Sequence, residues 1–151
     1  MKLVIFIVLN FGALALGSLL MGSNPGENNW YINLKTAPWT PQGWVFGAAW
    51  TIVMVTFSLF MTFSVLTKEN KSSYFYSLFG IQWVLNVSWN PIFFYFHQLW
   101  LALFVMTGLI AVLLFMLKLT KNNWLTNTLI FPYLFWISVA FSLNLYVALM
   151  N

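Results

Sequence analysis

Long apolar runs separated by short polar segments dominate the chain. Four runs contain no acidic or basic residue apart from His97: residues 3–26, 36–67, 72–117 and 122–151. A helix needs about 20 residues to cross roughly 30 Å of hydrocarbon. Three of the runs therefore hold one crossing each, and the run 72–117 is long enough for two.

The longest run is interrupted at "NPIFFYFHQLW", where Pro91 weakens a helix and where His97 and Gln98 prefer water or lipid headgroups. The pattern predicts five helices at about 3–22, 43–66, 73–95, 98–119 and 124–149. Strands are a poor interpretation, because the runs are too long and do not alternate as barrel strands do. We expect one all-α domain over residues 1–151, a bundle of five transmembrane helices with a long structured first loop.

Composition supports a membrane location. The chain is 62% hydrophobic and 5% charged, with two Glu, no Asp, six Lys and no Arg. About a quarter of the residues in a soluble domain are charged. Too few polar residues are present to coat an apolar core of this size, so the sequence predicts an integral, multi-pass membrane protein.

The distribution of lysine predicts the orientation. With five crossings, one side of the membrane carries Lys2, Lys68, Lys71, Lys118 and Lys121, and the other carries only Lys35. The positive-inside rule then makes the N-terminus cytoplasmic and the C-terminus extracytoplasmic. A cleaved signal peptide is the alternative interpretation of residues 2–22, but this apolar run is longer than a usual signal sequence. The net charge of +4 reflects topology, so we expect no nucleic-acid partner.

The first loop, 23–42, divides into two parts. Its beginning, "GSNPGENN", is rich in turn-forming residues, whereas "WYINLKTAPWTPQG" combines aromatic residues with two prolines. An aromatic belt at headgroup depth is one explanation. Two prolines that restrict the backbone around Trp39 favour the other, a structured lid folded over the bundle. Lys35 either meets a ligand carboxylate or extends to water.

The inventory of reactive residues excludes several classes of protein. Without Cys there is no disulfide or thiolate metal site, and one His cannot build a multi-histidine metal centre. Glu27 and Glu69 are predicted on opposite faces, so a pair of catalytic carboxylates is excluded. Apart from Lys118 at the very end of the fourth, the predicted spans hold no Asp, Glu, Lys or Arg, which argues against an ion-coupled pump. We expect no metal site and no required cofactor.

The polar and aromatic residues within the spans share faces. One face of the third span carries Gln82, Asn86, Trp89 and Phe93, and one face of the fifth carries Pro132, Trp136, Ala140, Leu143, Asn144 and Val147. Intramembrane Asn avoids lipid, so Asn86 and Asn144 should point inward, either as links between helices or as ligand contacts. Trp50, Trp89 and Trp136 are bulky for ordinary helix packing in membranes. Indoles brought together would form a slot for a flat, largely apolar, partly polar molecule.

Three segments in order resemble a known family. "WYINLKTAPWTPQGWVFGAAWT", "LNVSWNPIFF" and "PYLFWISVAFSLN" are similar to the motifs of the tryptophan-rich sensory proteins, the TspO/MBR family, which includes the mitochondrial translocator protein or peripheral-type benzodiazepine receptor. The resemblance covers nearly the whole chain. It implies a five-helix bundle, often a homodimer, with a ligand cavity under the first loop.

The resemblance also implies ligands and site residues. The ligands are porphyrins such as protoporphyrin IX and flat drug-like molecules. Pocket or lid positions would be Tyr31, Trp39, Trp50, Asn86, Trp89, Trp136 and Ala140. Trp50 and Trp136 also match positions linked to light-dependent porphyrin breakdown, and they are the candidates if the protein is an enzyme. The chain departs from the family pattern at Gln42, where a second proline is usual, and behind Tyr146, where the animal sterol pattern is missing.

Three functions follow as alternatives. The first is a membrane receptor or sensor that binds porphyrins in a Trp-lined cavity, with porphyrin as a ligand and no required cofactor. The second is an enzyme that degrades the bound porphyrin under light, and the third is a passive porphyrin carrier. Lysine without arginine hints at an AT-rich genome, so we expect a bacterial plasma membrane.

Overall fold

A computed structural model describes residues 1–66, 73–120 and 124–151. The helices are α1 Lys2–Leu20, α2 Asn29–Ile32, α3 Gly43–Leu66, α4 Ser73–Asn90, a π-helical segment Pro91–Tyr95, α5 Leu99–Leu119, α6 Trp124–Thr128 and α7 Phe131–Met150. Three lysines of the predicted cytoplasmic side, Lys68, Lys71 and Lys121, and also Glu69 lie outside the described residues, so the orientation stays a prediction.

The five long helices form a closed ring. α1 packs against α3 and α4, α4 packs against α5, and α7 completes the ring by packing against both α5 and α3. α1 and α4 pack closely at Gly17. A Cβ on this residue would lie only 2.7 Å from Nδ2 of Asn90. Polar bonds join α1 to its neighbours: Asn10 Nδ2 donates to Ser58 Oγ at 2.8 Å and Trp83 Nε1 donates to the Leu9 carbonyl at 2.9 Å.

The outer surface of the bundle is apolar, as a lipid-facing surface must be. Val4, Phe104 and Phe135 are among the large side chains that lie exposed on it. Four described stretches are long and apolar enough to cross a membrane: Lys2–Leu20, Gly43–Leu66, Leu99–Leu119 and Trp124–Met150. α4 is outside this set, and its interior carries Gln82 and Asn86. The prediction of an all-α, multi-pass membrane bundle is confirmed.

Two helices differ from the uninterrupted segments that the sequence pattern predicts. The predicted helix 73–95 changes to π-helical geometry at Pro91, and the Phe96 N–H donates to the Pro91 carbonyl at 2.9 Å. Pro91 has no N–H to continue the α-helical ladder, which is the physical reason for the change. The predicted helix 124–149 is interrupted at residues 129–130, because Pro132 is tolerated only in the first turn of a new helix.

Candidate functional site

The first loop is anchored to the end of α4. Asn28 caps α2 by accepting the Tyr31 N–H on its Oδ1 at 3.1 Å, and its Nδ2 donates to the Phe94 carbonyl at 3.2 Å. One side chain therefore both starts the short helix and ties it to the π-helical segment. Phe94 can accept this bond from the loop because it lies in the last turn of the helical segment, where carbonyl groups lack intrahelical partners.

Aromatic rings fill the space beneath α2. The Tyr31 ring lies 5.3 Å from that of Phe94 and 6.1 Å from that of Phe93, and Trp30 stacks on His97 with 4.0 Å between ring centroids. These loop residues pack on a small buried cluster of Phe93, Phe94, Ala102 and Val147. Burial raises the pKa of the Tyr31 hydroxyl above its usual value.

The second half of the loop lies along the end of α7. Trp39 Nε1 donates to Ser142 Oγ at 3.3 Å, and its ring meets that of Tyr146 at 5.4 Å. The Lys35 N–H donates to Asn151 Oδ1 at 2.9 Å, and the Asn151 amide donates back to the Lys35 carbonyl at 3.3 Å. The loop is therefore a structured lid held by α7. Trp39 is nevertheless 54% exposed, so one of its faces is free for lipid headgroups.

A polar centre lies inside the bundle below the lid. Tyr133 of α7 is fully buried, and its hydroxyl donates to Asn86 Oδ1 at 3.0 Å and accepts from Gln82 Nε2 at 2.9 Å. Gln82 and Asn86 are four residues apart on α4, so one helical face presents both to the same tyrosine. The prediction that Asn86 points inward is confirmed. Asn144 is also buried, with its Nδ2 bonded to the Met106 sulfur at 3.2 Å.

Trp50 and Trp136, two of the predicted site residues, lie beside this polar centre. The Trp50 ring lies 6.0 Å from the Tyr133 ring, and Trp136, one turn along α7 from Tyr133, packs against Phe46 at 5.5 Å. Trp50 and Trp136 belong to the main buried cluster or pack directly on it, and so does Ala140. Trp136 is buried, and Trp50 is half-buried against the core.

Trp89 connects the two clusters. It packs against the main core and also stacks on Phe93 at 5.8 Å, beneath the lid. The structure thus brings Trp50, Asn86, Trp136 and Ala140 to one region and Tyr31 to the adjoining one, with Trp89 between them. Trp39 lies apart from these residues, against Ser142 and Tyr146 in the C-terminal half of α7.

Unpartnered polar atoms mark the region. The indole nitrogens of Trp89 and Trp136 and Oε1 of Gln82 are buried and have no hydrogen-bond partner among the described residues. A buried donor without a partner costs about 1–3 kcal/mol, so native proteins rarely keep one without a reason. A bound molecule with acceptor atoms would satisfy the two indole N–H groups.

Tyr133 and Gln82 are the residues that the predicted set of binding positions omits. The signal was present, because Gln82 lies one turn before Asn86 within an apolar span. The partner across the bundle could not be read from the sequence. No group of three His, Cys, Asp or Glu side chains that could hold a metal ion occurs within residues 1–66, 73–120 and 124–151.

Comparison with known proteins gives a consistent result. The model of the TspO/MBR family matches residues 4–150. Protein CrtK of Rhodobacter capsulatus is 29% identical over 154 residues, covering 100% of this chain and 95% of that protein. A tryptophan-rich protein TspO of Chlorobaculum tepidum is 30% identical over 91% of the chain and 90% of its own length. A tryptophan-rich sensory protein of Cereibacter sphaeroides is 31% identical, covering 78% of the chain and 73% of that protein.

Proposed function

The chain belongs to the TspO/MBR family of membrane proteins, and from that premise we propose that it is a receptor or sensor for a flat tetrapyrrole such as protoporphyrin IX. The ligand would lie between α3, α4 and α7 beneath the lid 23–42. Trp50, Asn86, Trp89, Trp136 and Ala140 would contact it, and Tyr31 and Trp39 would cover it.

The observation that carries this proposal is the buried N–H of Trp136. Trp136 is 6% exposed, and its indole nitrogen has no partner among the described residues. The ring supplies a flat apolar surface and the N–H supplies one donor, which suits a ligand with a wide aromatic face and few acceptors. A sugar or an ion would need a higher density of polar groups than this region offers.

The residues around Trp136 favour the same chemistry. Trp89 offers a second unpartnered N–H, and Phe46 and Trp50 add further aromatic surface. Porphyrins combine a large planar ring with carboxylates at one edge. The carboxylate edge would point toward the lid and water, because an ionised carboxylate is costly in the apolar interior.

The direct test is a fluorescence titration of the purified protein with protoporphyrin IX in detergent. We expect quenching of the intrinsic Trp fluorescence that saturates at one ligand per chain. A non-saturating decrease, equal to that of free tryptophan in the same micelles, would contradict the proposal.

One observation favours a second function, light-dependent degradation of the ligand. The Trp50 indole and the Tyr133 phenol, both oxidisable groups, lie 6.0 Å apart beside the proposed site. Illumination of the complex should then give a new absorbing product that the Trp50→Phe protein does not form. Equal product from free tryptophan in detergent would exclude enzyme action. Porphyrin flux into proteoliposomes would distinguish a passive carrier from both.

A further inference from the structure

A groove near the end of α5 differs in chemical character from the region around Trp136. It has a volume of about 550 Å³, is lined by residues of α5, α6 and the start of α7, and includes none of the predicted porphyrin positions. This volume is within the usual range for small-molecule sites, about 300–1,000 Å³. Most of the lining is apolar, and Lys118 contributes the one positive charge among its lining residues.

The polar and apolar groups of the groove are separated along α5. Leu114 and Lys118 are four residues apart, so they lie on the same helical face with Lys118 one turn closer to the helix end. Leu114 is exposed toward the bilayer, and Phe131 at the start of α7 extends the apolar wall. A molecule in this groove would therefore meet a cation at one end and hydrocarbon at the other.

Two further polar residues stand beside Lys118. Thr120 donates its hydroxyl to Asn127 Oδ1 at 2.7 Å, which holds the Asn127 amide in position. That bond uses the amide oxygen, and Nδ2 of Asn127 has no acceptor among the described residues. The Thr128 hydroxyl donates to the Leu125 carbonyl at 2.7 Å, so its oxygen keeps lone pairs for an incoming donor. The exposed indole of Trp124, at the other side of the groove, is suited to headgroup depth.

We infer that this groove binds one anionic glycerophospholipid of the phosphatidylglycerol class. The Lys118 ammonium and the Asn127 amide would bind the phosphate, Thr128 would accept from a headgroup hydroxyl, and the acyl chains would lie along Leu114 and Phe131. We choose an anionic lipid as the occupant because its phosphate is complementary in charge to Lys118. Lys118 belongs to the face that the sequence predicts to be lysine-rich and cytoplasmic, and anionic lipid is the abundant phosphate carrier at a cytoplasmic membrane surface.

Native mass spectrometry of the intact protein, released from micelles doped with phosphatidylglycerol or phosphatidylcholine, tests this inference. We expect one retained phosphatidylglycerol per chain and little phosphatidylcholine. Lys118→Gln should reduce retention about fivefold, which corresponds to roughly 1 kcal/mol for one lysine near a lipid surface. Lys118→Arg should retain the lipid. Lys2→Gln removes a charge from the same predicted face outside the groove and should have no effect.

Several outcomes would overturn the inference. Equal retention of the two lipids, or unchanged retention in Lys118→Gln, would exclude headgroup recognition by Lys118. Dimers without lipid that dissociate on Lys118→Gln would identify a second copy of the chain as the occupant. Displacement of the lipid by millimolar inorganic phosphate would show that the acyl chains contribute nothing. Porphyrin quenching should be the same in Lys118→Gln and wild type, so this result is independent of the proposed receptor function.

Discussion

The hydroxyl of Tyr133 donates to Asn86 Oδ1 at 3.0 Å and joins α7 to α4 across the interior of the bundle. Gln82 completes the link by donating to the same hydroxyl at 2.9 Å. The two helices are not neighbours in the closed ring of the bundle, so this polar link fixes their spacing.

Tyr133→Phe should destabilise the bundle. Removal of the hydroxyl leaves Asn86 Oδ1 and Gln82 Nε2 buried without this partner, which should cost about 1–2 kcal/mol. Thermal unfolding in detergent measures the loss. Tyr76→Phe removes a hydroxyl from an exposed tyrosine of α4 and is the matched control. Equal melting temperatures for the two variants would show that the link contributes nothing.

Trp136→Phe should weaken binding with little change in stability. The variant removes a buried unpartnered N–H, which offsets the cost of the small cavity left by the smaller ring, so the ligand-free protein should stay close to wild type in stability. Protoporphyrin IX should bind about fivefold more weakly, because one hydrogen bond of roughly 1 kcal/mol is lost. Trp100→Phe, at an exposed position on α5, is the control for both measurements. Unchanged affinity in Trp136→Phe would remove the main support for the proposed site.

Asn151→Ala should loosen the lid. The Asn151 side chain bonds both the N–H and the carbonyl of Lys35, and it is one of the ties between the loop and α7. We expect the dissociation rate of protoporphyrin IX, followed by stopped-flow fluorescence, to rise about two- to fivefold for the loss of these exposed bonds. Asn33→Ala removes an exposed bond internal to the loop and should leave the rate unchanged. A rate equal to that of wild type in Asn151→Ala would mean that the lid does not gate release.

Gly17→Leu should disrupt the packing of α1 against α4. A side chain at Gly17 would meet Nδ2 of Asn90 and then the Val87 carbonyl, so the helices must separate at a cost of about 1–3 kcal/mol. Gly12→Leu, on the same helix, places its side chain in open space and should fold normally. The melting temperatures of the two variants provide the comparison. A similar loss in both would show that α1 tolerates no leucine at either glycine, whatever the packing.

High pH should open the lid through Tyr31. Burial raises the pKa of its hydroxyl in the closed lid, so the open form loses the proton first as the pH increases. The closed form binds more protons above about pH 10, the usual pKa of tyrosine, and its stability therefore falls with rising pH. Proteolysis of the loop between pH 9 and 11 measures opening, with Tyr31→Phe as the comparison. The same pH dependence in Tyr31→Phe would assign the effect to another group.

The sequence predicts α3 well and the end of α4 poorly. For α3 the predicted 43–66 and the observed Gly43–Leu66 coincide, because an unbroken apolar run flanked by polar residues leaves no other register. At Pro91 the pattern indicates a weakened helix, but not the π-helical turn, whose carbonyl at Phe94 receives the loop residue Asn28. The contact between Asn28 and Phe94 joins residues 66 positions apart in the chain, so the local pattern around Pro91 could not predict it.

In the candidate site, too, the sequence predicts which side chains face inward but not which of them meet. The spacing of Gln82 and Asn86 places both on one inward face, because an apolar span hides its amides from lipid. It does not identify Tyr133 as their shared partner, since that pairing depends on how α7 is rotated against α4. Likewise, the aromatic residues of the loop predict a lid, whereas the bonds of Trp39 to Ser142 and of Lys35 to Asn151 require the end of α7 nearby.

The sequence by itself therefore determined the membrane environment, the all-α class and the inward faces of the helices, because these follow from the cost of placing polar groups in hydrocarbon, residue by residue. Only the tertiary structure decided which inward groups meet. The Tyr133 link, the unpartnered indole of Trp136 and the Lys118 groove each arise from the relative rotation of separate helices, and that rotation is set by packing over the whole bundle.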